Sequence, residues 1–173
     1  PYASPNIIDH PGGEAPTRTY TNLLDNAWEE AMFEHYFSST LARVSIDGKV
    51  QRIEASSGLL SRVQVSPDNR HALVIRLQRP YSHMLKASHF PRQFEIWNLE
   101  NGQRVDSPAL LQQQKITPTR GVPLPTLAWR MDTAALGWTE AMAGGGKRWL
   151  SLDPPYTGSA REVVSNKAGI SSF

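Results

Sequence analysis

Cysteine is absent from the 173 residues, which excludes disulfides, zinc–thiolate sites and a cysteine nucleophile. No apolar run approaches the ~18 residues of a membrane-crossing helix. Charge of one sign is scarce as well. A net +2 does not build the field that nucleic-acid or anionic-membrane binding calls on, so neither partner is expected. No Gly-x-Ser-x-Gly stands anywhere in the chain, so no serine is presented on a nucleophile elbow and no catalytic residue is assigned. The histidines (His10, His35, His71, His83, His89) include no pair at helical i,i+4 spacing and no His-Glu-x-x-His. His83 and His89 share a short stretch without an acid between them, so no metal and no cofactor is expected. The "GGGK" at 144–147 lacks a phosphate loop's earlier glycine, position 141 being Ala, and is followed by Arg148 rather than Ser or Thr. It reads as a hairpin connection. The adjacent acids Glu29-Glu30, and Glu54, read as solvated faces. Absence of cysteine suits cytoplasm and periplasm equally, and no compartment is assigned.

What is present is ordinary globular material. Hydrophobic residues make up 39% and charged residues 20%, enough for a core in a chain of this length. The chain begins at Pro1 with neither an initiator Met nor a signal peptide, which predicts a piece of something larger. Residues 1–18, rich in Pro and Gly, read as an extended linker. In 19–37 the helical spacing of Leu24, Trp28, Ala31, Met32 and Tyr36 predicts one helix over about 27–37. Asn26 is its expected N-cap, with Glu29 as capping-box partner.

The rest predicts strands. "TLARVSIDGKVQRI" is a hairpin with a type I′ signal at Asp47-Gly48. "SRVQVSPDNRHALVIRLQ" turns at Ser-Pro-Asp-Asn into a buried strand Ala72–Ile75, and "QFEIWNLENGQRVDS" turns at Asn101-Gly102. "TLAWRMDTAALGWTEAM" then repeats the second hairpin, Asp132 lying under Asp68, and "KRWLSLDPPYTGSAREVV" repeats the third. Four-stranded units at roughly 50-residue spacing are the signature of propeller blades. The expected fold class is all-β: a partial β-propeller of about two to three four-stranded antiparallel blades, with one short N-terminal helix. Residues 38–54 end one blade, 59–107 form a second and 124–165 a third. A β-sandwich is the alternative. Trp97, Trp129, Trp138 and Trp149 are expected to pack between blades, and incomplete closure predicts self-association through exposed sheet edges.

Three stretches carry a family resemblance. "APTRTYTNLLDNAWEEAMFEHYFSSTLARVSIDG", "VSPDNRHALVIRLQRPYSHMLKASHFPRQFEIWNLENG" and "PTLAWRMDTAALGWTEAMAGGGKRWLSLDPPYTGSAREV" together resemble the glutamyl endopeptidase branch of the prolyl oligopeptidase family of serine peptidases. The likeness runs from about Pro5 to Val164. It departs at Asn69, where the turn usually has Gly, at Asn98 for Asp, and in the short "AMAGGGKR". The resemblance implies an N-terminal propeller followed by a C-terminal α/β-hydrolase domain that bears the triad, and only the propeller portion matches here. It implies a non-catalytic segment of a peptidase that shapes substrate access, with that hydrolase domain and a peptide substrate as partners. The alternative function is a stand-alone interaction scaffold of the TolB-like type.

One stretch stands out within this frame. "RPYSHMLKASHFPR", 79–92, is long for a hairpin connection and carries Arg79, Tyr81, His83, Lys86, His89 and Arg92 without a carboxylate. These six are the substrate-side or interdomain candidates, because arginine pairs well with an acidic side chain. The plainer expectation is that Tyr81, Met84, Leu85 and Phe90 pack over the sheet while the cations stay wet.

Overall fold

The computed structural model describes residues 23–113, 126–142 and 145–166. The linker read at 1–18, His10 and Gly144 of the glycine run lie outside them. The first element is α1 (Ala27–Phe37), on the predicted bounds. Asn26 Oδ1 accepts the Glu29 N–H at 3.0 Å, but Glu29 reaches one residue further back than a capping box requires, to the N–H of Asp25 at 2.7 Å.

Ten strands follow in three antiparallel sheets. β1 (Ser39–Val44) and β2 (Val50–Gly58) form a two-stranded sheet. β3 (Leu60–Val65), β4 (His71–Leu77), β5 (Arg92–Asn98) and β6 (Arg104–Val105) form a four-stranded meander in chain order. A six-residue helix, α2 (Pro108–Gln113), comes next, and the sequence reading missed it: six residues carry too few turns for a period to register. β7 (Ala128–Trp129), β8 (Leu136–Ala141), β9 (Lys147–Leu152) and β10 (Arg161–Asn166) repeat the meander. The chain is therefore all-β with few helices.

The turns show which local readings hold. A type I′ turn needs both central residues left-handed, and of Asp47 and Gly48 only Gly48 is, at φ 82°. Gly48 N–H donates to the Ser45 carbonyl at 2.9 Å and Ser45 N–H to that of Lys49 at 3.0 Å, so the loop is one residue longer than predicted and Ile46 sits exposed at its tip. At the next turn Asn69 takes φ 58°, the left-handed role usually given to glycine.

Packing is layered. On one face of β3–β6, Leu73, Ile75, Phe94 and Ile96 meet Leu136, Trp138, Leu150 and Leu152 of the second meander, with Leu110 of α2 closing the interior. On the other face Val74 and Trp97 meet Ile53 of β2, flanked by Leu41 and Leu60. The central strand β4 is thus covered on both sides, which accounts for the unbroken apolar run Ala72–Ile75. Trp97 and Trp138 are buried between sheets as expected, whereas Trp129 and Trp149 are only half-buried.

Tyr156 pins the two meanders together. It is fully buried, donates its hydroxyl to the Ala134 carbonyl at 2.8 Å, and meets the rings of His71 at 4.9 Å and Trp129 at 5.6 Å. Trp129 Nε1 in turn donates to the Gln64 carbonyl at 3.0 Å. The β3–β4, β7–β8 and β9–β10 connections therefore share one end of the layers, and the 78–91 connection and the 142–146 turn leave from the other. Burial first, then the charge of Asp68, pushes the Tyr156 phenol up from its ordinary 10.0 to about 12. Its contribution is whole below about pH 10 and falls as pH rises from there towards 12, a loss of about 3 kcal/mol. Urea unfolding between pH 9 and 12 should show that decline, and Tyr156→Phe should make it shallower.

Candidate functional site

The 79–92 stretch is the connection between β4 and β5, and it is structured throughout. Gln78 N–H donates to the Pro91 carbonyl at 2.8 Å, closing its neck. A single 3-10 turn, Ala87–His89, shapes its second half. Phe90 and Tyr81 are buried, ring against ring at 5.1 Å, over Leu59. Leu85 is half-buried and Met84 is exposed, so the expected apolar underside is made by the two aromatics rather than all four residues.

The feature that sequence reasoning did not anticipate is what covers this underside. α1 lies on the loop, with Phe33 set edge-on to Tyr81 at 5.7 Å and to Phe90 at 6.1 Å, and Leu24 beside them. Around that contact runs a set of polar bonds. Arg79 Nε donates to Glu34 Oε1 at 2.8 Å, and its Nη1 to Glu30 Oε2. Tyr81 donates its hydroxyl to Glu34 at 2.7 Å, and His83 Nε2 lies 2.8 Å from Glu30. The Arg79 guanidinium also sits 5.0 Å from the Tyr81 ring centre. Glu30, read from sequence as solvated, has a side chain only 13% exposed. Its pairing depends on i,i+4 spacing with Glu34, which places both carboxylates on the helix face that meets the loop. A signal was available in the sequence: an acidic helix stripe and a basic loop without acids are complementary.

The electrostatics follow from these contacts. The hydrogen bond to His83, then that to Arg79, hold the Glu30 carboxyl below its usual range. Arg79 and then Tyr81 do the same for Glu34. Burial, followed by the bond to Glu34, pushes the Tyr81 phenol up. Lowered carboxylate pKa values stabilise the docked helix above the ordinary 4.5, and that stabilisation is lost as pH falls through the lowered values. Hydrogen-exchange protection factors of the α1 amides, taken relative to the intrinsic rate at each pH, should therefore be steady down to about pH 4.5 and fall below it. In Glu30→Gln/Glu34→Gln the acid dependence should vanish and exchange should be faster at neutral pH.

The remaining candidates occupy the second half of the loop. Arg92 Nη2 donates to the Ser88 carbonyl at 2.8 Å, while its Nε is buried with no partner among the described residues. His89 Nδ1 lies 3.1 Å from Ser88 Oγ. That Ser–His contact joins sequence neighbours, and Glu30 and Glu34, the acids facing the loop, are held by Arg79, Tyr81 and His83. The contacts of Arg79, Tyr81 and His83 seat α1 on the loop.

A second recess of about 240 Å³ opens between α2 and β8–β10. Its polar wall is Arg148, bonded to Glu140 at 2.8 Å and 4.0 Å from Glu162, with Trp138 Nε1 donating to Glu140 at 3.1 Å. Each charge there already faces an opposite one.

Compared with known proteins, the chain is 28% identical over 159 residues to "Probable glutamyl endopeptidase, chloroplastic" of Arabidopsis thaliana, covering 85% of this chain and 16% of that protein. It is 27% identical over 138 residues to the protein of the same description in Oryza sativa subsp. japonica, covering 74% and 14%. The chain thus spans about a sixth of the curated relatives it matches, and at this identity it is related to a peptidase family over that portion. No family model matches, and no solved structure matches.

Proposed function

We propose that these residues are a non-catalytic part of a longer serine peptidase of the prolyl oligopeptidase family, glutamyl endopeptidase branch. In this reading the stacked sheets are consecutive propeller blades, and they govern how peptides reach an α/β-hydrolase domain in the remaining polypeptide. The observation that carries it is the match itself: most of this chain aligns with a small fraction of proteins described as glutamyl endopeptidases. Two features support it further. The meander repeats with the same strand order, as radial repetition of blades requires, and no Gly-x-Ser-x-Gly is available for chemistry within the chain.

The loop takes a divided role. Arg79, Tyr81 and His83 seat α1, whereas Lys86, His89 and Arg92 belong to the half of the loop that faces the hydrolase domain or its substrate. Arg92 is the group best suited to meet a substrate carboxylate, since its side chain is half-buried and, among the described residues, its guanidinium is held only through Nη2 by the Ser88 carbonyl.

The test is hydrolysis of a Glu-linked chromogenic peptide. The 173-residue chain should release nothing, and the longer polypeptide should turn over. In the longer polypeptide Arg92→Ala should lower the preference for Glu over Leu substrates about tenfold in kcat/KM. A longer polypeptide without Gly-x-Ser-x-Gly or hydrolysis would favour the interaction-scaffold reading instead.

A further inference from the structure

Among the described residues, two of the three sheets have four strands and the first has two. The deficit leaves a mark on the sheet beside it. In β3, Val63 pairs with Val74 and Val65 with Ala72, so all four side chains share the face of β3–β6 that looks towards β1–β2. Val74 and Ala72 are 0% and 1% exposed, yet Val63 and Val65 are 43% and 51% exposed. One half of this face is covered and the other is bare.

The position of β2 shows which half. A Cβ at Gly102, in the β5–β6 turn, would touch Ile53 of β2 at 3.7 Å. β2 therefore lies over the β5–β6 side, and the outer edge of β1 looks towards β3. No strand pairs with that edge among the described residues. An open strand edge beside two exposed β-branched side chains is what a further strand pair would complete.

We propose that the β1 edge and the bare valines of β3 form a slot for one more β-hairpin of the same polypeptide. One of its strands adds antiparallel to β1, extending the two-stranded sheet to four, and its inward side chains close over Val63 and Val65. The slot takes a strand of about six residues, the length of β1, whose inner face is apolar except for an acid opposite the exposed Arg43, which shares the face of Leu41. The occupant belongs to the same polypeptide because this chain spans only 14–16% of the relatives it matches, leaving ample chain to supply it. This inference rests on the longer-peptidase reading above.

Hydrogen exchange and one double variant test it. Alternate amides within Ser39–Val44 should exchange at least about 100-fold slower in the longer polypeptide than in the 173-residue chain. Val63→Arg/Val65→Arg should leave the urea midpoint of the 173-residue chain unchanged and lower the Tm of the longer polypeptide by several degrees. Equal exchange in both, or a longer polypeptide indifferent to the two arginines, would overturn the slot. So would a dimer of the 173-residue chain that protects β1 and falls apart in the double variant, since the occupant would then be a second copy. Hydrolysis with equal exchange sinks the slot and spares the peptidase reading; protection without hydrolysis does the reverse.

Discussion

Glu95→Ala should lower stability by about 3–5 kcal/mol, the usual effect of leaving one member of a buried ion pair alone. Glu95 lies on β5 with its side chain only 4% exposed, and it faces Arg76 of β4, itself 13% exposed. Arg76 Nε and Nη2 donate to its two oxygens at 3.3 and 3.0 Å, and Trp97 Nε1 donates to Oε2 at 2.9 Å. The same guanidinium reaches across to the carbonyls of Ser56 and Ser57 at the end of β2. It therefore joins the two-stranded sheet to the first meander. Gly58 is part of this joint: at φ 151° it leaves room that a Cβ, which would collide with Arg76 Nη1, would deny. Alanine at 95 strands a cation and an indole N–H in the interior. Glu95→Gln keeps an acceptor for both and should lose less, about 1–3 kcal/mol. Arg76→Met/Glu95→Leu removes both charges and should lose less than the alanine variant, but not return to the parent value, because the Trp97 N–H and the Ser56 and Ser57 carbonyls lose their partners. Urea midpoints at constant slope decide the matter; a loss below 1 kcal/mol for the alanine variant would mean the pair holds nothing together.

Phe90→Ala should produce a loss of similar size, about 3–5 kcal/mol, by opening a cavity under the loop. Phe90 is 2% exposed and touches both Tyr81 and Phe33, so it is the common support of the loop and of α1. Truncation should unseat both. Trypsin should then cut after Lys86 much faster than in the parent, while the meanders stay resistant. Phe90→Leu retains most of the volume and should cost under about 1.5 kcal/mol. If Phe90→Ala left cleavage within the loop unchanged, α1 and the loop would have to be held by their polar bonds alone. Those bonds are exposed to solvent and salt at Arg79, whose side chain is 51% exposed, and such pairs contribute modestly. High salt should accordingly loosen α1 far less than removal of the Phe90 ring.

The two candidate regions differ in how far they could be read in advance. The bounds of α1, the strands beside Ser66–Asn69 and the buried run Ala72–Ile75 follow from periodicity and turn chemistry, which act over a few residues. Asp47-Gly48 misled because the dipeptide is compatible with two loop lengths, and only strand pairing chooses between them. α2 escaped because a helix of six residues is stabilised by what it packs on rather than by its own pattern. In the loop, the residue types were legible and their partners were not. Arg79 and Glu34 are 45 residues apart, and no local rule connects them.

By itself, then, the sequence determined an antiparallel all-β chain with one good helix, no cysteine chemistry and no nucleophile elbow, because composition, alternation and turn residues act locally. Tertiary structure alone decided that Glu30 and Glu34 close on Arg79, that Glu95 joins two sheets, and that Val63 and Val65 stay bare. Those outcomes depend on which surfaces meet across long stretches of chain, and burial and charge pairing are settled only once they do.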